Sequence, residues 1–192
     1  MGQNSPQHNH AAIEAQIREC FGRVVYSAKT HEKDADLCTS RLGCVKWIQI
    51  VLSAITTGGL ISVLLGEPSA NTKALILSTV CSTLQLVLNA YTKDVNPGQT
   101  SENHKTTAVE LWDIRESYLS ILTDLQDCNV DLVAVREKRD QLQARLVEVY
   151  KTAPRTSNKA YEKARVGLKT KEELTFSNEE IDQLLPEALR KN

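Results

Sequence analysis

Two long stretches of this sequence carry no charge. The first, Trp47–Gly66 (WIQIVLSAITTGGLISVLLG), lies between Lys46 and Glu67 and holds 20 residues. The second, Ala74–Thr92 (ALILSTVCSTLQLVLNAYT), lies between Lys73 and Lys93 and holds 19. As helices rising 1.5 Å per residue they are about 30 and about 28 Å long, close to the hydrocarbon thickness of a bilayer. The link, Glu67-Pro-Ser-Ala-Asn-Thr-Lys73, is short and polar, with Pro68 just past the end of the first tract, where a helix cannot easily continue. The pattern predicts a two-helix transmembrane hairpin, with one span over 47–66 and the other over 74–92.

The competing reading is a pair of buried helices in a soluble bundle, since both tracts contain Ser, Thr, Gln or Asn. The ten Leu, Ile and Val residues of the first tract contribute roughly −3 to −6 kcal/mol toward insertion, and its polar residues offset part of that. A core helix has no reason to exclude every charge twice and then place a charge at all four ends. Positive charge is also asymmetric. Lys33, Arg41, Lys46, Lys93 and Lys105 lie on the terminal side of the tracts, and only Lys73 lies in the link. This bias predicts that both termini are cytoplasmic. Trp47 and Tyr91 sit at that same boundary, where interfacial aromatic residues are enriched. The charge total, 23 Lys and Arg against 24 Asp and Glu, leaves no positive surplus to neutralise phosphates and argues against a nucleic-acid partner.

Polar residues within the tracts fall into rows. Ser78, Ser82, Gln85 and Asn89 share one face of the second helix, and Gln49, Ser53 and Thr56 share one face of the first. Gly58, Ser62 and Gly66 form a small-residue ridge of the kind that lets membrane helices approach closely. Two roles are open for the polar rows: hydrogen-bonding glue between helices, or the wall of a water-filled path in an oligomer.

The rest of the chain reads as helix. Residues 1–10 are polar and expected to be disordered. They carry His8 and His10, and they show neither a secretory signal nor, with Pro6 in place of Ser or Thr, a myristoylation signal. Over 11–46, the positions Ile13, Ile17, Cys20, Val24, Ala28, His31, Ala35, Cys38, Leu42 and Val45 recur at steps of three and four. His31 alone interrupts this apolar stripe, and such a residue is usually a satisfied interior histidine. After the turn Asn96-Pro97-Gly98, a seven-residue repeat runs Leu111, Ile114, Tyr118, Ile121, Leu125, Cys128, Leu132, Val135, Arg139, Leu142, Leu146, Val149. Only Arg139 is out of pattern. The repeat predicts one cytosolic coiled-coil-like helix over 106–152, about 69 Å long, packed antiparallel to the first helix so that the pair continues the hairpin, with self-association of this helix as the alternative. Residues 153–192 are expected to form short helices that fold back on it. Asn158 is a candidate cap for one, and Ser177-Asn-Glu-Glu180 is a capping box for another.

The expected fold is therefore all-α, with residues 11–192 as a single domain. No catalytic motif is present: there is no P-loop, Gly-x-Gly-x-x-Gly, Gly-x-Ser-x-Gly or His-Glu-x-x-His. The five cysteines and four histidines show no zinc-site spacing and no disulfide framework. No enzyme activity, cofactor or metal is expected.

The order of parts resembles the SLATT domains, bacterial two-transmembrane effectors found beside nucleotide-synthesising SMODS or nucleotide-sensing SLOG proteins. The resemblance covers roughly Glu14 to Arg190. It rests on Ser27-Ala-Lys-Thr-His31, the hairpin 47–92, His104-Lys-Thr-Thr-Ala108, Trp112-Asp-Ile-Arg115 with Tyr118, Arg139-Asp140, Tyr150-Lys-Thr-Ala-Pro154, Lys159-Ala-Tyr161, Phe176-Ser-Asn-Glu-Glu180 and Leu184-Leu-Pro186. The resemblance implies an inner-membrane effector of anti-phage conflict systems. Such an effector oligomerises to form a pore or disrupt the bilayer on a nucleotide signal, and its nucleotide-synthesising or nucleotide-sensing partner would be a separate protein. The alternatives are a non-conducting, membrane-anchored helical scaffold that docks a cytosolic partner, and a soluble helical interaction module.

Overall fold

The computed structural model describes residues 6–65, 68–126 and 130–191, with side chains from residue 10 onward and, after the first gap, from residue 72. Among these residues there is no strand. The helices are α1 (Pro6–Leu65), α2 (Pro68–Val95), α3 (Pro97–Asp124), α4 (Leu132–Thr152), α5 (Asn158–Lys169) and α6 (Asn178–Leu184), followed by a 3₁₀ turn at Glu187–Leu189. The all-α expectation holds. The chain groups into two compact units, Ala35–Asn103 and the combination of Met1–Asp34 with His104–Asn192.

Three boundaries differ from expectation. Residues 6–10 are helical, which corrects the expectation of disorder for that part of 1–10; residues 1–5 lie outside the described residues. His10 Nε2 lies 3.1 Å from the Leu125 carbonyl oxygen. The expected division between helices 11–46 and 47–66 is absent, and α1 runs unbroken to Leu65. The single helix over 106–152 is replaced by α3 and α4. α3 starts at Pro97, and the residue before it, Asn96, takes φ 40°. Its N–H bonds back to Thr92 while its side chain accepts from the Gln99 N–H, so Asn96 ends α2 and caps α3 at once. Asparagine tolerates the left-handed region better than most side chains. α3 stops at Asp124, and Asp131 caps α4 by accepting from the Val133 N–H at 2.9 Å. A short carboxylate that bonds nearby backbone competes with continued helix. Cys128 lies outside the described residues.

The consequence is a three-helix core in the larger unit. α3 runs antiparallel to α1, with His10 against Leu125 at one end and His31 against His104 at the other. α4 runs parallel to α1 in a constant register of 123, seen at Gln16–Arg139, Cys20–Gln143 and, just past α4, Asp34–Ser157. Asp124–Lys138 and Asp113–Arg145 pair α4 antiparallel with α3. Ile13, Ile17, Cys20, Val24 and Ala28 of α1 meet Leu111, Ile114, Tyr118 and Ile121 of α3, with Leu125, Val135 and Val149 closing the core. Fully burying one such side chain contributes about 1.5–3 kcal/mol. The seven-residue repeat is thus real, but its two halves face one core from two helices. α5 buries Ala160, Ala164 and Gly167. Its cap is Ser157, whose hydroxyl accepts from the Ala160 N–H, not the expected Asn158. The capping box at Ser177 and Glu180 forms as read from the sequence.

Candidate functional site

The hairpin unit pairs the second half of α1 with α2. On α1, Gln49, Leu52, Thr56, Gly59 and Val63 are partly covered; on α2 the covered residues are Ala74, Ser78, Cys81, Gln85, Leu88 and Thr92. Both rows step by three and four, the period of a left-handed helix pair. The two helices approach closely at Gly59. A Cβ there would fall on Ser78 Oγ and stand 3.3 Å from the Ala74 carbonyl oxygen. The expected ridge occupies a different face. Gly58 has open space around it, Ser62 is exposed and donates to the Gly58 carbonyl at 2.9 Å, and Gly66 lies outside the described residues.

The polar rows are therefore divided. Gln49, Thr56, Ser78 and Gln85 lie along the seam, whereas Ser53, Ser82 and Asn89 are exposed. Gln49 Nε2 donates to Asn89 Oδ1 at 2.7 Å across the pair. Thr56 satisfies itself on the Leu52 carbonyl. Gln49, Ser53 and Gln85 come together with Lys46 and Ile50 around a cleft of about 340 Å³.

The apolar residues of this unit point outward. Trp47, Ile50, Leu64, Leu65, Leu77, Leu86 and Val87 are all more than half exposed. Of the most apolar 18 residues of the first helix none is buried, and of those of the second only 11 %. A core helix in a soluble bundle would bury them. An exposed apolar surface this continuous needs lipid or another protein as its solvent. Both helices are long and apolar enough to cross a membrane.

The other unit holds a polar cluster that sequence reasoning largely missed. Lys29, Thr30, His31 and Asp34 of α1, with His104 and Thr107 of α3, are all buried. His31 Nδ1 and His104 Nδ1 are 2.9 Å apart, so one ring donates and the other accepts. Burial lowers both histidine pKa values, and burial with repulsion from His104 takes His31 to about 4, while Asp34 pulls both the other way. Asp34 accepts from the Ser157 N–H at 2.9 Å and from its hydroxyl at 2.7 Å, which fastens the start of α5 to α1. Lys29 and Lys33 both reach the Glu173 carboxylate, at 2.7 and 3.1 Å, and Lys29 also meets Glu32 at 3.0 Å. The bonds from Lys29 and Lys33 hold Glu173 down at about 2. Burial alone would lower the Lys29 pKa, but the carboxylates at Glu173 and Glu32 outweigh it and the net shift is upward. The Arg115 guanidinium stacks on both Phe21 and Trp112, 5.4 and 4.4 Å from the ring centres.

Only His31 was visible beforehand, as the break in the apolar stripe. The segments Ser27–His31, His104–Ala108 and Trp112–Arg115, far apart in sequence, converge here. Nothing local marked Glu173 or Ser157 as their partners. Among the described residues no group of three or more His, Cys, Asp or Glu side chains is placed to hold a metal ion.

The chain has no match among curated proteins or solved structures. The sequence model of the SMODS and SLOG-associating 2TM effector domain family 4 matches residues 13–180. The match takes in the exposed hairpin, the buried polar cluster and the capping box of α6. On that span, and with two helices able to cross a bilayer, the chain belongs to this SLATT family of two-transmembrane effector domains.

Proposed function

We propose that the protein is a non-catalytic effector that sits in the bacterial inner membrane with both termini in the cytoplasm. It oligomerises there and breaches the bilayer in a nucleotide-triggered anti-phage response. The observation that carries this reading is the outward face of the hairpin. Ser53 and Ser82 are exposed among apolar neighbours in a single chain, beside Asn89 and Ser62, which already bond Gln49 and the Gly58 carbonyl. Polar groups facing lipid are costly, so such a face is stabilised by another helix or by water. A second copy supplies the first, and a ring of copies supplies both. The five-to-one bias of Lys and Arg toward the terminal side supports the orientation. Membrane depolarisation and dye leakage on induced expression with the cognate trigger test the reading, with Ser82→Leu and Asn89→Leu as lining variants. An intact potential under activating conditions refutes the breach, and unchanged leakage in the variants refutes this lining.

One observation favours a second reading, a non-conducting membrane-anchored scaffold that docks a cytosolic partner. Gln49 already bonds Asn89, and Gln85 lies in the intrachain seam, so part of each polar row acts as glue within one hairpin. Membrane recovery of a partner without any change in potential is the outcome that selects this reading.

A further inference from the structure

α6 is a helix without a support. It spans only Asn178–Leu184 and buries none of its residues. A helix this short is marginal in water, and in folded proteins most helical stability comes from packing one face. The capping box secures its first turn. Among the described residues, though, no hydrogen bond or ion pair joins 176–191 to the rest of the chain. Its apolar side chains face outward: Leu184 is 78 % exposed, and Phe176 and Ile181 are exposed beside it. The charge of this tail is also sorted by segment. From Arg155 to Lys171 there are six basic residues and one acid, Glu162, which Arg165 holds at 2.8 Å. From Glu172 to Glu187 there are six acids and no base, and of these only Glu173 is taken, by Lys29 and Lys33. Five cations and five carboxylates are left over, and among the described residues none of them is in an ion pair. Lys159, Lys163, Val166 and Lys169 step by four, three and three, so they share one face of α5. All four are exposed, on the side away from the stripe that α5 buries.

We propose that α6 docks on the basic face of α5 in a second copy of this chain. Ile181 and Leu184 of one copy lie against Val166 of the next, and the acids around α6 meet Lys159, Lys163 and Lys169. The occupant is a second copy because the chain itself carries both halves of the contact: two exposed faces, opposite in charge, each with apolar side chains among the charged ones. Complementary charge across an interface fixes orientation and excludes wrong partners more than it adds affinity. The apolar contact covers the face that α6 leaves open in a single chain. Each copy offers one face of each kind, so the contact is heterologous and repeats from copy to copy, and a rotation that closes makes a ring. The inference rests on the oligomeric reading proposed above and gives it an interface outside the two spans.

The test uses the full chain in membranes of expressing cells, with the photo-cross-linking residue p-benzoylphenylalanine in place of Leu184. Illumination yields a covalent dimer, and mass spectrometry maps the bridge to residues 158–171 of the other copy. The same residue in place of Val166 gives the reciprocal bridge, to 176–187. Lys159→Glu, Lys163→Glu and Lys169→Glu together lower the dimer yield from position 184 by roughly tenfold or more, because like charges then face each other. Adding Glu179→Lys and Glu187→Lys to that chain restores the yield, which a misfolded variant would not do. With no charge substitution at all, raising the salt from about 0.05 to about 0.5 M lowers the yield by screening. The proposal is overturned by the absence of a dimer, by a bridge that maps elsewhere, or by a yield that neither salt nor the reversals change. A bridge from position 166 to lipid overturns it too, and assigns the basic face to an anionic bilayer. Membrane potential is recorded alongside under activating conditions. The mapped dimer with an intact potential keeps this interface and refutes the breach; leakage without the dimer keeps the breach and refutes this interface.

Discussion

Acidification destabilises the larger unit through its histidine pair. His31 and His104 are buried nitrogen to nitrogen at 2.9 Å, a contact that requires at least one neutral ring. Burial, reinforced by His104, takes the His31 pKa to about 4, against Asp34 pulling upward. In the unfolded chain His31 titrates near 6.5. A depressed histidine leaves stability intact above the unfolded value and loses it as pH falls below that value, because the unfolded state takes up the proton first. Between pH 7.5 and pH 5 the loss from His31 alone is about 2 kcal/mol, and His104 shifts in the same direction. Glu173, held at about 2, loses its contribution only below the ordinary carboxylate value and so stays out of this window. Guanidinium unfolding of the Trp47→Phe chain in micelles, followed by Trp112 fluorescence, reads the effect. In a His31→Gln/His104→Gln variant, whose amides can still pair, the fall between pH 7.5 and pH 5 disappears. Stability that is flat or rising on acidification, or a fall of the same size in the double variant, refutes the reasoning.

Other consequences are as direct. Gly59→Val forces α1 and α2 apart because its Cβ meets Ser78 and the Ala74 carbonyl; it costs about 1–3 kcal/mol, read as a lower melting temperature in micelles, while Gly58→Ala, in open space, does not lower that temperature, since alanine favours helix over glycine. Asp34→Ala strands the Ser157 N–H and hydroxyl and destabilises the larger unit by about 1–3 kcal/mol, measured by guanidinium unfolding. Ser177→Ala removes the capping box of α6, at about 1 kcal/mol, and amide exchange at Glu180 speeds up with no change elsewhere.

Periodicity carried most of the fold. The hairpin was legible because absence of charge over a bilayer's length is hard to produce in any other setting. The stripe from Ile13 to Ala28 and the repeat from Leu111 to Val149 both mark core-facing residues correctly. What periodicity does not encode is direction. A repeat that continues in phase through Leu125 and Leu132 looks the same whether the helix runs straight or turns back, and the turn rests on the cap at Asp131. The starts of α3 and α5 depend likewise on single caps, Asn96 and Ser157, beside equally plausible neighbours. The polar cluster was less legible still. Lys29, Lys33 and Asp34 look like ordinary charges on a helix, and only the fold brings Glu173 and Ser157 to them across more than 120 residues. In the hairpin, small residues at Gly58 and Gly59 are adjacent in sequence, and helix rotation alone decides that Gly59 makes the contact.

The claim on which the account rests is that 47–65 and 74–92 lie in a bilayer. Carbonate extraction of membranes from cells expressing the full chain tests it most directly. The account predicts that the chain stays in the membrane pellet at alkaline pH and is released only by detergent; recovery in the carbonate supernatant contradicts it.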